Sequence, residues 1–202
     1  MKLDLGDGWR SAAEVLVRRG WVRLSGVLTS DLIHALATAP RPPWRALPRQ
    51  EGVVVQHGFG AYLPLEAADP AVVTLATEII ASLQEGAAAF TTVALPNFNE
   101  VTWTKYPVGS GHITAHRDPF AYGGVIATMT LKGEANFIVW DEDGCQHTWP
   151  TAAGDIVLLL GRGWPERESL CPKHEVEPPR QSERVIMTLR SNRGGAGAGY
   201  DV

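Results

Sequence analysis

GHITAHRDPF, residues 111–120, places two of the chain's six histidines close to an aspartate in a short, mostly uncharged stretch. Residues two apart on an extended strand point to the same face, so His116 and Asp118 can offer a nitrogen and an oxygen to one ion. His174, in CPKHEV, is a third donor, some way before an apolar segment with strand character. His-x-Asp followed at a distance by His is the pattern of a two-histidine, one-carboxylate facial triad, which leaves three positions of an octahedral Fe(II) open. Taken alone, His116 and Asp118 read equally well as a hydrogen-bonded surface pair in a loop. What shifts the balance lies further along the chain.

Arg184 and Arg190 stand six apart in RVIMTLR. On a strand that spacing gives them a common face, so both guanidiniums are expected in the same interior. Arginines in an apolar strand need anionic partners, and a dicarboxylate can accept paired hydrogen bonds from each fork. Tyr106, closing TWTKY, precedes the metal strand and can add a phenol hydrogen bond.

Around these motifs the chain shows two regimes. Beyond Pro96, the segments FNEVTWTKY, GGVIATMTL, ANFIVWD, GDIVLLLG and ERVIMTLRS are short and rich in β-branched and aromatic residues. Turns at Gly133-Glu134 and Asp141 to Gly144 separate some of them, so a sandwich or barrel is expected rather than βαβ units. Trp103, Trp140 and Trp149 fall in these strands or at their ends and read as packing residues. Before Pro96, helical stripes run from Trp9 to Gly20, from Leu32 to Ala39 behind Thr29-Ser30, and from Asp69-Pro70 through about Gly86. The proline-rich stretch from Arg41 to Arg49 reads as a loop leading to GVVVQHGFGAYL. These features predict an α+β, mainly β chain. One domain spans 1–193, with a helical N-terminal layer over 1–92 and a β core over 93–193. The glycine-rich residues 194–202 read as a flexible tail.

Composition sets further bounds. With 202 residues, 45% of them hydrophobic, the chain can bury a substantial core. A net charge of −4 argues against the broad basic face that nucleic-acid phosphates require. The N-terminus has no apolar signal region, and no run of about 18 apolar residues occurs, so the expectation is a cytoplasmic protein with no membrane partner. Cys145 and Cys171 are expected as reduced thiols without a role.

Taken together, TKYPVGSGHITAHRD, His174 and RVIMTLR resemble the Fe(II)/2-oxoglutarate-dependent oxygenases, and within them the AlkB-like branch. The resemblance covers the C-terminal half. It implies a double-stranded β-helix (jelly-roll, cupin-like) core supported by helices, iron held by His116, Asp118 and His174, and O2 as oxidant. It also implies that Arg184 meets the distal carboxylate of 2-oxoglutarate, with Arg190 and Tyr106 as further cosubstrate contacts. Two places where the family usually carries asparagine hold Thr104 and Ile186, and the loop between Tyr106 and His116 is a residue longer. These departures leave the triad intact but weaken the case for a nucleobase substrate.

Candidates for the substrate pocket are His112, on the His116 face if the strand extends that far, with Phe120 and Tyr122 just after the metal pair. Trp164, in GRGWPERESL, and His57 and Tyr62, in a glycine-rich aromatic segment read as a covering loop, complete the set. His112 reads at least as well as a structural histidine, and residues 56–62 as a plain connection. Arg117, between two ligands, is expected to face away and pair with a carboxylate. The leading expectation is an enzyme oxidising a small molecule, such as an amino acid derivative or an intermediate of specialised metabolism. The alternatives are an AlkB-like dealkylase of nucleic acid and a non-catalytic jelly roll that binds metal or ligand.

Overall fold

A computed structural model describes residues 8–47, 54–162, 164 and 170–196. Among the described residues, three helices carry the N-terminal part: α1 (Gly8–Arg19), α2 (Ser30–Thr38) and α3 (Pro70–Ala87), with a short 3-10 turn at Leu65–Ala67 before the last. Their ends follow local chemistry. Thr29 accepts from the Leu32 N–H at 3.3 Å, and Asp69 accepts from the Ala71 N–H at 2.9 Å with Pro70 in the first turn. Helix α1 ends at Gly20, whose φ of +80° suits glycine alone, and a Cβ there would collide with the Leu170 carbonyl.

Among the described residues, twelve strands form two antiparallel sheets. They are β1 (Trp21–Leu24), β2 (Arg45–Ala46), β3 (Gln56–His57), β4 (Phe59–Pro64), β5 (Glu100–Tyr106) and β6 (His112–His116), then β7 (Tyr122–Lys132), β8 (Ala135–Trp140), β9 (Gln146–Thr151), β10 (Ile156–Leu160), β11 (Lys173–Val176) and β12 (Arg184–Asn192). The larger sheet runs β1-β10-β7-β12-β5-β4-β2 and the smaller β3-β6-β11-β8-β9. Mainly β with helices in support, this is the expected double-stranded β-helix architecture.

Strand alternation divides the larger sheet into two faces. Val125, Ala127, Met129, Ile156, Leu158, Met187 and Leu189 meet the helices, against Leu36, Leu75, Ile79 and Leu83. Each large aliphatic side chain so buried contributes about 1.5–3 kcal/mol. The Trp103 indole N–H reaches the Leu36 carbonyl at 3.1 Å and ties sheet to helix. The other face, with Ile126, Val157 and Leu159, turns toward Phe137, Val139 and Val176 of the smaller sheet.

The N-terminal layer is less purely helical than its composition suggests, because β1 to β4 extend both sheets. Residues 56–57 and 59–62 are strand rather than loop, with a bend at Gly58 where the chain passes from the smaller sheet to the larger. Their glycines mark close approaches: a Cβ on Gly58 would lie 2.8 Å from the Lys105 carbonyl oxygen, and one on Gly60 would lie 2.6 Å from Leu47 Cδ2. Strand β9 carries Pro150, which its edge position tolerates. Residues 197–202 of the expected tail lie outside the described residues. Among the described residues no helix is long and apolar enough to cross a membrane.

Edge strand β1 is anchored by one buried carboxylate. Asp155 accepts from Arg23 Nη2 at 2.8 Å, from the Gly26 N–H at 2.9 Å and from the Ala152 N–H at 3.1 Å. Asp155→Ala is expected to cost about 3–5 kcal/mol, since it strands a part-buried guanidinium and two amides. Glu14→Ala, which breaks an exposed pair with Arg18, should cost under about 1 kcal/mol. Urea unfolding midpoints of the two variants test the contrast, and equal losses would refute it.

Candidate metal centre and adjoining cavity

His116 and His174 are register partners across the β6–β11 pair. Facing residues on one strand pair bring their side chains together, and the two rings lie 4.4 Å apart between centroids. Their tautomers follow from hydrogen bonding. The Nδ1 of His116 lies 2.8 Å from the Thr114 carbonyl oxygen and that of His174 lies 3.3 Å from the Pro172 carbonyl oxygen. A carbonyl only accepts, so both Nδ1 atoms carry the proton and both Nε2 lone pairs are left for a ligand. Asp118 sits two residues past the end of β6, before the turn that begins at Phe120, and its carboxylate lies on the same side as the His116 ring. Its Oδ2 lies 3.5 Å from His174 Nε2. One donor atom from each of His116, Asp118 and His174 lies within 4.8 Å of the others.

The electrostatics suit a cation. Burial opposes ionisation of Asp118, but His174, His116 and Arg190 outweigh it and hold the carboxyl below its ordinary range. Burial, and His116 beside it, push His174 down to about 4, against the pull of Asp118. Phe137 stacks on the His174 ring at 5.7 Å and 6°, fixing its plane. The site thus offers a neutral imidazole and a carboxylate at pH 7, and no proton need leave His174 before a metal binds.

A cavity of about 950 Å³ opens beside this cluster, between the two sheets. Arg184, Ile186, Thr188 and Arg190 of β12 line it, with Thr102, Thr104 and Tyr106 of β5. Arg184 is fully buried. Its Nη2 donates to Thr130 Oγ1 at 3.1 Å and to Thr151 Oγ1 at 2.9 Å, whereas among the described residues Nε and Nη1 have no partner. Burial pushes this guanidinium down to about 10, with Tyr106 and Asp155 pulling the other way. Tyr106, its register partner, is also buried, which raises the phenol above its ordinary value, and the Gln56 amide donates to its oxygen at 3.4 Å. An acceptor-only, negatively charged group is what Nε and Nη1 require. Arg190 is situated differently: Glu100 Oε1 lies 3.9 Å from its Nη1, Thr102 Oγ1 lies 3.3 Å away, and the guanidinium covers the Tyr122 ring at 4.9 Å.

The expected pocket residues divide. Tyr62 and Tyr122 line the cavity. His57 and His112 face each other across β3 and β6, away from its lining, and both rings turn Nδ1 to the Ser110 carbonyl, at 3.0 and 2.7 Å. Phe120 is 53% exposed beneath the Arg162 guanidinium. Trp164 is buried in the helix–sheet core, because an indole flanked by polar residues still finds the nearest apolar layer. Arg117 lines the cavity and donates through Nε to the Cys171 carbonyl at 2.9 Å, not to a carboxylate. Sequence reasoning passed over Thr130, Thr151 and Glu100. The threonines could have been found by the parity of β7 and the end of β9. Glu100 could not, since its meeting with Arg190 depends on inter-strand register.

Depression of the His174 pKa has a measurable sign. In the metal-free protein its ring resonances should not titrate between pH 7 and 5, and should move only as pH nears 4. An unfolded histidine takes up its proton near 6.5, so this group's contribution erodes native stability as pH falls from about 6.5 to 4. A His174 midpoint near 6.5 by NMR would contradict the burial argument.

No family model matches the sequence, and no curated protein does. Solved structures do match. A Pseudomonas putida prolyl-4-hydroxylase superposes with a TM-score of 0.67 over 92% of this chain and 99% of its own, at 21% identity. A Burkholderia pseudomallei oxidoreductase of the 2OG-Fe(II) oxygenase family gives 0.68 over 97% and 95%, at 15% identity. SnoK, a non-heme alpha ketoglutarate dependent carbocyclase from nogalamycin biosynthesis, gives 0.63 over 98% and 90%, at 14% identity. These proteins differ in the reactions they are named for and share an architecture with this chain over nearly its full length. The chain has the double-stranded β-helix fold found in these oxygenases.

Proposed function

We propose that the protein is an Fe(II)- and 2-oxoglutarate-dependent oxygenase that oxidises a small molecule. The observation that carries this reading is the buried Arg184 guanidinium, with Nε and Nη1 unpartnered, in the same cavity as the His116, Asp118 and His174 cluster. A fully buried cation without a carboxylate is costly unless a ligand supplies one. A ligand with a carboxylate at one end and a metal-chelating group at the other satisfies both features, and 2-oxoglutarate has that form.

His116, Asp118 and His174 would hold the iron, which supplies oxygen activation coupled to decarboxylation of 2-oxoglutarate to succinate and CO2. The remaining work belongs to the chain. Arg184 binds the distal carboxylate through the two nitrogens left free, while Thr130 and Thr151 keep its fork in plane. Tyr106 presents a phenol whose raised pKa keeps it protonated and able to donate. Arg190, held near Glu100, sets the charge on the side toward Asp118 and His174. Phe137, Ile126 and Leu159 line the cavity with apolar surface that excludes water. The free thiols of Cys145 and Cys171 fit a reducing cytoplasm.

Two outcomes test the assignment. Under anaerobic conditions, Fe(II) followed by 2-oxoglutarate should give the visible band of a chelated cosubstrate, and that band should vanish in Asp118→Ala and in His174→Ala. His174→Ala with undiminished turnover would remove the triad. Arg184→Gln should raise the 2-oxoglutarate concentration needed for half-maximal band intensity by roughly 30- to 1,000-fold, the loss of a buried charge pair, while Fe(II) affinity changes little. Succinate release stimulated by an alkylated oligonucleotide, and by no small molecule, would transfer the reading to a nucleic-acid dealkylase.

A further inference from the structure

The cavity is opposite in sign to the chain. Its lining carries four arginines, Arg45, Arg117, Arg184 and Arg190, against one carboxylate, Asp118, in a protein of net charge −4. On the oxygenase reading Asp118 goes to the metal and Arg184 to 2-oxoglutarate, and Arg190 has Glu100 at 3.9 Å. Arg45 and Arg117 remain. Among the described residues neither forms an ion pair, and Arg117 commits only its Nε, to the Cys171 carbonyl.

These two cations reach the cavity from opposite sheets. Arg45, in edge strand β2, ends a row of register partners that crosses the larger sheet from Ile186 through Thr104 and Gly60. Gly60 contributes no side chain to that row, and Leu47 packs over it, so the arginine stands beside an apolar wall completed by Pro42, Pro43 and Val54. Arg117 stands between His116 and Asp118, next to the metal centre. An apolar wall with a guanidinium at its edge fits a molecule with an apolar body and one planar anion, the geometry that arginine reads through paired hydrogen bonds. A polyanion calls for a track of cations along its path, and a cavity of about 950 Å³ with two spare arginines gives it none.

We propose that the substrate is an amphipathic small-molecule carboxylate, and that Arg45 and Arg117 are the residues that bind its carboxylate and select it. This rests on the oxygenase reading, with Arg184 engaged by 2-oxoglutarate. The metal centre then acts on the apolar body.

The test uses matched pairs of a carboxylic acid and its primary amide from aliphatic, aromatic and N-acetylamino acid series. They are titrated against the full chain with saturating 2-oxoglutarate and followed by saturation-transfer NMR, so neither iron nor turnover is needed. In at least one series the acid should bind at least tenfold more tightly than its amide. Arg45→Gln and Arg117→Gln should each bring that ratio below threefold while leaving amide binding unchanged. Arg45 is exposed on a two-residue edge strand, so its variant decides the matter if Arg117→Gln fails to fold. The proposal is overturned if no acid is preferred over its amide in any series, or if the preference survives both substitutions. It is equally overturned if a single-stranded oligonucleotide binds more tightly than every acid and loses that binding in the same variants. A separate anaerobic titration with Fe(II) and then 2-oxoglutarate reports on the oxygenase reading: failure there with an arginine-dependent acid preference sinks that reading and leaves the role of Arg45 and Arg117 standing.

Discussion

The pairing of β6 with β11 is the constraint on which the site depends. It sets His116 directly opposite His174, and because side chains alternate along a strand, a slip of one residue would turn one ring to the other face. Several features oppose that slip. On its other side β11 pairs with β8 residue for residue from Lys173 to Val176, and Phe137 of β8 stacks on the His174 ring. The register shift between His174 and Val176 places one extra β6 residue between Ile113 and His116, so the paired histidines stand beside a bulge. Strand pairing places the two imidazoles, and the segment that follows β6 places the carboxylate.

Arg184 illustrates the converse principle, a buried group that the fold leaves incomplete. Among the described residues the chain supplies two threonine hydroxyls, so the native state carries a desolvated charge on an arginine that lines the cavity. Such an arrangement lowers stability in the free protein and raises the differential gain when an anion binds. The neighbouring Tyr106 phenol is buried next to it without being ionised, so among the described residues no carboxylate pairs directly with the arginine, and Asp155 acts on it only as a nearby charge. On the proposed reading, binding of a dicarboxylate and stabilisation of the fold would be linked.

How much of this could be read from the sequence depended on whether the information was local. The parity of RVIMTLR put Arg184 and Arg190 on one face, and that face lines the cavity. The spacing of His116, Asp118 and His174 singled out three residues that do come together, although Asp118 lies just beyond the end of β6. Helix ends were legible because Thr29, Asp69-Pro70 and Gly20 act within a few residues of themselves. Long-range packing was not. Trp164 sits among charged and glycine neighbours in the sequence and in the helix–sheet core in space. Gly58 and Gly60 carry the signature of a loop, yet they are small because Lys105 and Leu47 come close from elsewhere in the chain.

The two β12 arginines, alike in sequence, have unequal surroundings. Glu100 faces Arg190 as its register partner on β5, with its other oxygen accepting from the Asn192 amide at 3.1 Å, whereas the register partner of Arg184 is a neutral phenol. A carboxylate so placed offsets the Arg190 charge near Asp118 and His174, whereas Arg184 has no carboxylate partner among the described residues. On the proposed reading, a dicarboxylate would place one end at Arg184 and leave its other end toward the donor cluster. Which of the two β12 arginines is left for it would then follow from strand register.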